Sequence, residues 1–258
     1  MYVGLAWHFW NTRWRSPSRP GLRPWERLAI LVPLGLHGWL LYQGVFASEL
    51  RFGFAQALSV MMFLGVAVYW VESLFYSLEG MQPLLLPLAA LAAPLPALFP
   101  GLAASGAHAA AAEFKLHLAL AMIAYGLFVI ALLHAALMAV AERQLHRRGT
   151  VVFAHLPPLL TLETLLFRMI GVGFLFLTLT LVTGVAFSET LFGRALRLDH
   201  KTVFALLSWV IFAWLLAGRL RYGWRGRTAL RWTLSGFVML LLAYVGSRFV
   251  LEVLLGRS

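Results

Sequence analysis

The stretch from Leu198 to Arg231 constrains the fold more than any other part of the sequence. It opens with Asp199, His200 and Lys201, crosses a nearly uncharged run of membrane length, and closes in an arginine-rich loop. An apolar run of about 20 residues spans the hydrocarbon core of a bilayer as a helix. Because lysine and arginine concentrate in cytoplasmic loops, the arginine end is predicted to face the cytoplasm and the histidine end the opposite side.

The composition extends this interpretation to the whole chain. Of the 258 residues, 61% are hydrophobic and 12% are charged, whereas a soluble domain carries about 25% charged residues. We therefore predict an all-α, polytopic membrane helix bundle that forms a single transmembrane domain over residues 1–258. The net charge of +11 resides largely in short loops, where membrane topology and anionic lipids account for it without nucleic acid. The absence of cysteine excludes disulfides, thiolate metal sites and covalent attachment of haem through cysteine.

Apolar segments long enough to span a membrane recur along the chain. Seven are predicted: 28–47, 54–75, 83–100, 116–140, 165–187, 202–218 and 232–253. The third contains several prolines and is predicted to be kinked, because proline inside a helix removes a backbone hydrogen bond. The stretch 1–10 is too short to span, and we expect an interfacial piece or the remnant of an eighth helix. The densest basic blocks, 11–27, 143–148 and 219–231, all fall on one side of this topology, as the positive-inside rule requires.

The histidines are the candidate metal ligands. His117 and His200 begin two different spans at the same predicted membrane boundary, where two imidazoles could face each other across a gap. A bis-histidine haem needs such an arrangement, since each axial position takes one neutral imidazole nitrogen. His37 lies near the middle of the first span, where an ionisable side chain marks a functional site by default. His134 lies near the opposite boundary and is interpreted as a hydrogen-bonded interhelical residue.

Other side chains offer weaker candidates. Glu72, Glu163 and Asp199 sit at span ends, where solvation at the interface is the expected state. Trp209 and Trp214 lie within a span, and they either line a porphyrin pocket or pack against lipid and helices. The sequence contains no recognisable phosphate-binding glycine loop and no nucleophile–base set, and the chain is not predicted to be an enzyme.

Several tracts together resemble one known family. They are HLALAMIAYGLF (117–128), GVGFLFLTLTLVTGVAF (171–187), LDHKTVFALLSW (198–209) and GWRGR (223–227). In order, spacing and letters they resemble the cytochrome c assembly family, which includes the haem-handling proteins CcsA and CcmC, over a core of residues 113–252. The short HemX-like or YpjD-like inner-membrane branch is the most similar, and its usual eight spans favour a shortened N-terminus here. The resemblance implies an all-helical bacterial inner-membrane protein that binds haem or assists cytochrome c maturation.

The resemblance also implies roles for particular residues. His117 matches the family's external histidine, while Asp199 and Lys201 match its acidic–proline–lysine step, with His200 in place of the proline. His37 is a candidate counterpart of a membrane histidine in an early span. The tryptophan-rich signature that precedes the acidic step in haem exporters is absent, since the segment here reads SETLFGRALRLDHK. The resemblance therefore supports haem binding more than haem export.

The resulting hypothesis is a membrane protein that holds b-type haem non-covalently. His117 and His200 are the predicted axial pair, His37 is an alternative ligand, and Arg194 and Arg197 are predicted to pair with the propionates. The expected partners are haem, membrane lipids and other cytochrome c maturation proteins, in the bacterial inner membrane with the basic loops cytoplasmic. The alternative is a haem-free scaffold or regulator that docks a partner through those loops. A small-solute transporter fits less well, because no pair of broken helices in matching halves is evident.

Overall fold

The regular structure is helical throughout the residues that the computed structural model describes. These residues are 1–14, 23–46, 51–78, 80–101, 111–145, 157–192 and 199–255. Within them, 6 helices are long and apolar enough to cross a membrane. The prediction of an all-α, polytopic membrane bundle is thereby confirmed.

The helices are labelled in chain order. They are α1 (Tyr2–Phe9), α2 (Pro24–Phe46), α3 (Phe54–Phe75), α4 (Gln82–Ala92), α5 (Leu95–Leu98), α6 (Ala112–Leu145), α7 (Leu159–Phe192), α8 (His200–Tyr222), α9 (Gly226–Leu241) and α10 (Ser247–Phe249). A π-helical turn, Trp10–Trp14, follows α1. Two more, Leu242–Gly246 and Val250–Leu254, join α9 and α10 into a span that ends at Leu254.

The segment predicted as the third span, 83–100, forms two short helices in place of one long one. Helix α4 ends at Ala92 and α5 begins at Leu95, because Pro94 between them has no backbone N–H to continue the helical hydrogen bonds. The segment starts shortly after α3 ends, and near its other end Gln56, in the first turn of α3, donates to the Phe99 carbonyl at 3.2 Å. The broken pair therefore returns along the length of α3, but it is shorter than a membrane span, so the described residues contain 6 candidate spans where seven were predicted.

Helix α6 is the centre of the bundle. It packs against α3, α7 and α9, and residues 124–131 are buried without interruption. Helix α8 packs against α7 and α9, so α6 to α9 form a ring of four helices in which α6 and α8 are diagonally opposed. Across the centre of this ring Phe128 and Phe212 stack, with ring centroids 3.9 Å apart.

Two contacts fix the direction of the helices in the ring. His117, near the start of α6, contacts Thr183, near the end of α7. Glu163, near the start of α7, contacts Arg219, near the end of α8. Helix α7 is therefore antiparallel to both neighbours, and α6 and α8 run parallel with their starts at the same end of the bundle.

The ends of α8 follow from its local sequence. The Asp199 carboxylate accepts a hydrogen bond from the Thr202 backbone N–H at 3.0 Å, which satisfies one of the unpaired donors of the first turn. Gly223 ends the helix with φ of 64°, a left-handed conformation that glycine adopts without steric cost. The segment from Asp199 to Tyr222 therefore folds as one capped span, and the arginine-rich loop follows its C-terminal end.

The apolar N-terminal stretch packs into the bundle as the short helix α1. Phe9 is fully buried, and α1 contacts α2 and α4. Glu26, in the first turn of α2, ties this segment down, since its carboxylate lies 2.6 Å from Arg13 Nη2 and 2.9 Å from His8 Nε2. As predicted from its length, the stretch does not form a spanning helix.

Candidate functional site

His117 lies in the second turn of α6 and faces α7. Its Nδ1 is 3.0 Å from Thr183 Oγ1. The Thr183 hydroxyl donates its single proton to the Leu179 carbonyl, 2.8 Å away, so Nδ1 of His117 is the donor in the contact with Thr183. A neutral imidazole that donates through Nδ1 carries its unshared electron pair on Nε2, which is the form that ligates a metal.

Glycine at position 184 lets the His117 ring approach α7 closely. A Cβ at Gly184 would lie 3.2 Å from His117 Cε1, closer than ordinary van der Waals contact. The ring is therefore held on one side by a hydrogen bond and on another by the backbone of α7. This restraint orients His117 without using Nε2.

His117 and His200 lie at the same depth in the ring. Eleven residues separate His117 from Phe128, and twelve separate His200 from Phe212. Because the two phenylalanines stack, a rise of 1.5 Å per residue puts both histidines about 17–18 Å from that stack along parallel helices. This finding agrees with the common depth expected from the sequence.

The two histidines face different directions. His200 begins an exposed stripe on α8, whereas Lys201, which is half-buried, lies on the face that leads to the buried Ser208 and Phe212. The exposed stripe continues through Val203, Leu207, Val210 and Trp214. Among the described residues, no hydrogen bond, ion pair or ring contact joins His200 to His117. His117 and His200 thus lie at the same depth, but their side chains point in different directions. Their ligation of iron stays a prediction.

The two tryptophans of α8 have different surroundings. Trp209 Nε1 donates to Thr178 Oγ1 at 2.9 Å, and its ring stacks on Phe174, so Trp209 packs α8 against α7. Trp214 is 53% exposed and faces outward. Both line a shallow apolar groove on α8, together with Val210, Ala213 and Ala217, and no histidine lines this groove.

His37 lies between α1, α2 and α3, away from the ring of four helices. It is buried, with Nε2 2.8 Å from Ser59 Oγ and Nδ1 3.4 Å from the Tyr2 hydroxyl. The rings of Tyr2 and Phe63 contact it edge-on. Both ring nitrogens therefore have protein hydroxyls as neighbours, which is the environment of an interhelical histidine. Its role as an alternative ligand stays a prediction.

Two cations, Lys201 and Arg248, lie near each other at the end of the bundle that holds His117. Arg194 and Arg197, the predicted propionate partners, lie outside the described residues. Lys201 and Arg248 are close enough for their like charges to repel each other, and the Arg248 guanidinium also lies over the Tyr244 ring. Two neighbouring cations favour the binding of carboxylate groups.

Asp199, the acid next to Lys201, stays ionised. Partial burial acts against ionisation, but hydrogen bonds from the Thr202 backbone and hydroxyl hold the pKa of the Asp199 carboxyl below its usual value. The charges of Lys201 and His200 act in the same direction as these hydrogen bonds. Asp199 is exposed, as expected for an acid at a span end.

The residues at this end fit one axial position of a haem. His117 offers a neutral nitrogen on an oriented ring, and Lys201 and Arg248 offer charge for the propionates. His200, the predicted second ligand, faces away from His117. Within the described part of the chain there is no cluster of three or more His, Asp and Glu side chains that could hold a metal ion alone.

The opposite end of the bundle corrects the expectation for two acids. Glu72 is 6% exposed and Glu163 is 7% exposed, so neither is solvated at an interface. Glu72 faces α6, where its carboxyl group lies 3.5 Å from Nε2 of the fully buried His134. Glu163 is buried against the arginine loop, 2.5 Å from Arg219 Nη1 and 3.7 Å from Arg225 Nε. Part of the basic loop is thereby paired within the chain.

Several residues of the site escape analysis of the sequence alone. Thr183 and Gly184 lie in the tract 171–187 that carries the family resemblance, but their positions opposite His117 depend on how α6 and α7 are aligned. Lys201 does leave a signal, because it precedes Phe212 by eleven residues, the same spacing as His117 and Phe128. Eleven residues are close to three whole helical turns and put both members of a pair on one face.

Comparison with known proteins gives a family and several relatives. The sequence model of the family described as cytochrome c assembly protein matches residues 25–255. The chain is 34% identical over 138 residues to inner membrane protein YpjD of Escherichia coli strain K12, covering 54% of this chain and 52% of YpjD. It is 38% identical over 89 residues to cytochrome c biogenesis protein CcsA of Prochlorococcus marinus strain MIT 9515, covering 34% of this chain and 28% of CcsA.

A second CcsA, from Heterosigma akashiwo strain NIES-293, is 36% identical over 92 residues, covering 36% of this chain and 29% of the relative. The chain thus spans about half the length of YpjD, at 52%, and less than a third of either CcsA, at 28% and 29%. No solved structure matches the chain.

Proposed function

Because the chain belongs to the cytochrome c assembly protein family, we propose that it is an inner-membrane haem-binding protein that assists haem handling or cytochrome c maturation. The observation that carries this proposal is His117, whose Nδ1 is held by Thr183 at 3.0 Å so that Nε2 has the unshared pair. The haem would be b-type and non-covalent, since the chain has no cysteine to attach it.

Each residue at this end has a distinct part in the proposal. His117 binds the haem iron at one axial position. His200, at the same depth, binds at the other when its imidazole turns from the exposed face of α8 towards the ring of four helices. His37 is the alternative ligand. Lys201 and Arg248, with Arg194 and Arg197, hold the two propionate carboxylates. Bound haem supplies an iron centre that takes imidazole ligands and exchanges electrons.

The proposal includes the orientation and extent of the membrane unit. The start of α8 faces away from the cytoplasm and the arginine loop after it faces the cytoplasm, as the distribution of basic residues favours. Residues 1–258 act as one transmembrane domain with 113–252 as its core, and this is supported by the packing of α3 against α6 across the bundle. We propose a binding role and no catalysis.

The test is the absorption spectrum of the purified protein, of two ligand variants and of one control variant. His117→Ala is expected to abolish the haem spectrum, and His200→Ala to change it from bis-imidazole to single-imidazole ligation. His8→Ala is the matched control, since this histidine contacts Glu26 outside the ring of four helices, and its spectrum should equal the wild type. A wild-type spectrum in the His117 variant would refute the proposed ligand.

The alternative, a haem-free scaffold that docks a partner through its basic loops, predicts a different result from the same preparation. Such a protein is colourless and does not take up added haemin. The pairing of Arg219 and Arg225 with Glu163 reduces the charge that the loop can offer a partner, and this favours haem binding over docking.

A further inference from the structure

A carboxylic acid and an imidazole face each other in the interior of the bundle, at the end opposite His117. Glu72, on α3, and His134, on α6, are 6% and 0% exposed. Glu72 Oε2 lies 3.5 Å from His134 Nε2. Both oxygens of Glu72 and Nε2 of His134 are buried without a hydrogen-bond partner. An unsatisfied buried polar atom is costly, and three of them meeting at one place call for an explanation.

The tautomer of His134 limits which explanations are possible. Its Nδ1 lies 2.9 Å from the carbonyl oxygen of Ile130, and because a carbonyl can only accept, Nδ1 carries a proton. Nε2 of the neutral ring is then an acceptor. An ionised Glu72 would present a second acceptor to it, and two facing acceptors in an apolar interior repel each other.

The charged and titratable groups around the pair do not remove this conflict. Tyr69, on α3, lies close to Glu72 and to Gln82 at the start of α4. Arg27, on α2, and Arg13, in the π-helical turn after α1, are near Tyr69. Among the described residues, no arginine or lysine forms an ion pair with Glu72, whose single ion-pair contact is His134.

We propose that Glu72 and His134 form a proton-binding site inside the membrane, in which Glu72 holds one exchangeable proton and donates it to Nε2 of His134. The proton satisfies an oxygen and the nitrogen at once, and the pair stays neutral. The alternative with carboxylate and imidazolium would put two charges in an apolar interior, which costs more than their attraction returns without further hydrogen bonds.

The site links a proton to the packing of two helices. Removing the proton at alkaline pH leaves a carboxylate against a bare nitrogen, between α3 and the central helix α6. The contact between these helices is therefore expected to weaken when the proton leaves and to recover when it returns. This inference does not depend on haem, and it stands or fails separately from the proposed function.

The first test is infrared spectroscopy of the full chain with isotope-labelled glutamate carboxyl groups, at neutral pH. The wild type is expected to show a carboxylic-acid carbonyl band that shifts in D2O, because the proton exchanges. Glu72→Gln should lose that band. Glu163→Gln is the matched control, since Glu163 is an equally buried acid that is paired with Arg219, and it should keep the band. If Glu72→Gln instead loses a band of an ionised carboxylate and keeps the carboxylic-acid band, the proposal is overturned.

The second test measures thermal stability against pH. In the Glu72→Gln variant, the side-chain amide donates to His134 a proton that no pH change removes. At neutral pH this variant is expected to melt at the wild-type temperature. At alkaline pH the wild type should melt at a lower temperature than the variant. Parallel curves for the two proteins across the whole pH range would overturn the site.

Discussion

Replacing Gly236 with alanine is expected to destabilise the ring of four helices through a clash with one aromatic side chain. A Cβ at Gly236 would lie 2.8 Å from Phe212 Cζ and 2.9 Å from Cε2. Phe212 is fully buried and stacked on Phe128, so its ring has no space into which to move. The Ser208 hydroxyl also donates to the Gly236 carbonyl at 2.9 Å, which holds α8 and α9 together at this point.

The size of the effect follows from two opposing terms. Overpacking of a well-packed core costs about 1–3 kcal/mol, and alanine in place of glycine returns about 1 kcal/mol of helix propensity. Because the Phe212 side chain and the backbone of α9 are both fixed, we expect a cost in the upper part of the overpacking range. The net loss in the free energy of unfolding is then roughly 1–2 kcal/mol. Gly171→Ala is the matched control, since a Cβ there meets nothing within 4 Å, and it should be neutral or stabilising.

The assay is reversible unfolding in mixed micelles with increasing SDS, followed by helical circular dichroism. The two alanine variants should differ by about 1–3 kcal/mol in the free energy of unfolding. Phe212→Ala costs about 3–5 kcal/mol by itself, and in that background Gly236→Ala should no longer destabilise. Equal stability of the Gly236 and Gly171 variants would refute the ring built around the Phe128–Phe212 stack.

Three further predictions concern the end of the bundle that holds His117. Thr183→Val removes the hydroxyl acceptor of His117 Nδ1 but leaves its hydrogen bond to the Thr180 backbone, so haemin binding should weaken by about 10-fold. Thr180→Val, whose hydroxyl bonds its own helix, should bind normally, and equal losses would contradict this. Asp199→Ala removes the cap of α8 and should cost about 1 kcal/mol. Because the pKa of Asp199 is lowered, its contribution is complete above 3.8 and is lost as the pH falls through the folded value, so a gap between wild type and variant that persists in strong acid would be inconsistent. Lys201→Gln with Arg248→Gln should weaken haemin binding and reduce its salt dependence, and an unchanged salt dependence would argue against propionate contacts there.

Hydropathy and charge alone predict most of the fold. The apolar run after Lys201 and the arginines that follow it predict α8, since both signals are local and strong. The prolines around Pro94 predict a kink. How the two short helices then return along α3 depends on side-chain packing, which a hydropathy pattern does not describe. The ends of α6 also extend beyond the predicted 116–140, to Ala112–Leu145, because a helix can continue past the bilayer wherever its residues allow it.

The sequence predicts the depth of His117 and His200 in the membrane, but it does not predict the direction of the His200 side chain. His117 and His200 start parallel helices, and counting residues from each boundary gives their common level. The direction of His200 follows from which face of α8 is buried, and that face is weakly marked because lipid-facing and buried residues of a membrane helix are both apolar. The partner of Glu72 lies on another helix, and the alignment of two helices cannot be derived from the sequence of either one. The sequence therefore predicts Glu72 to be a solvated acid.

The haem content of the purified protein tests the central claim most directly. The wild type, purified in detergent and assayed as the pyridine haemochrome, is predicted to carry about one haem per chain with sharp reduced α and β bands. A colourless protein that also fails to take up added haemin would contradict haem binding, and with it the role assigned to His117.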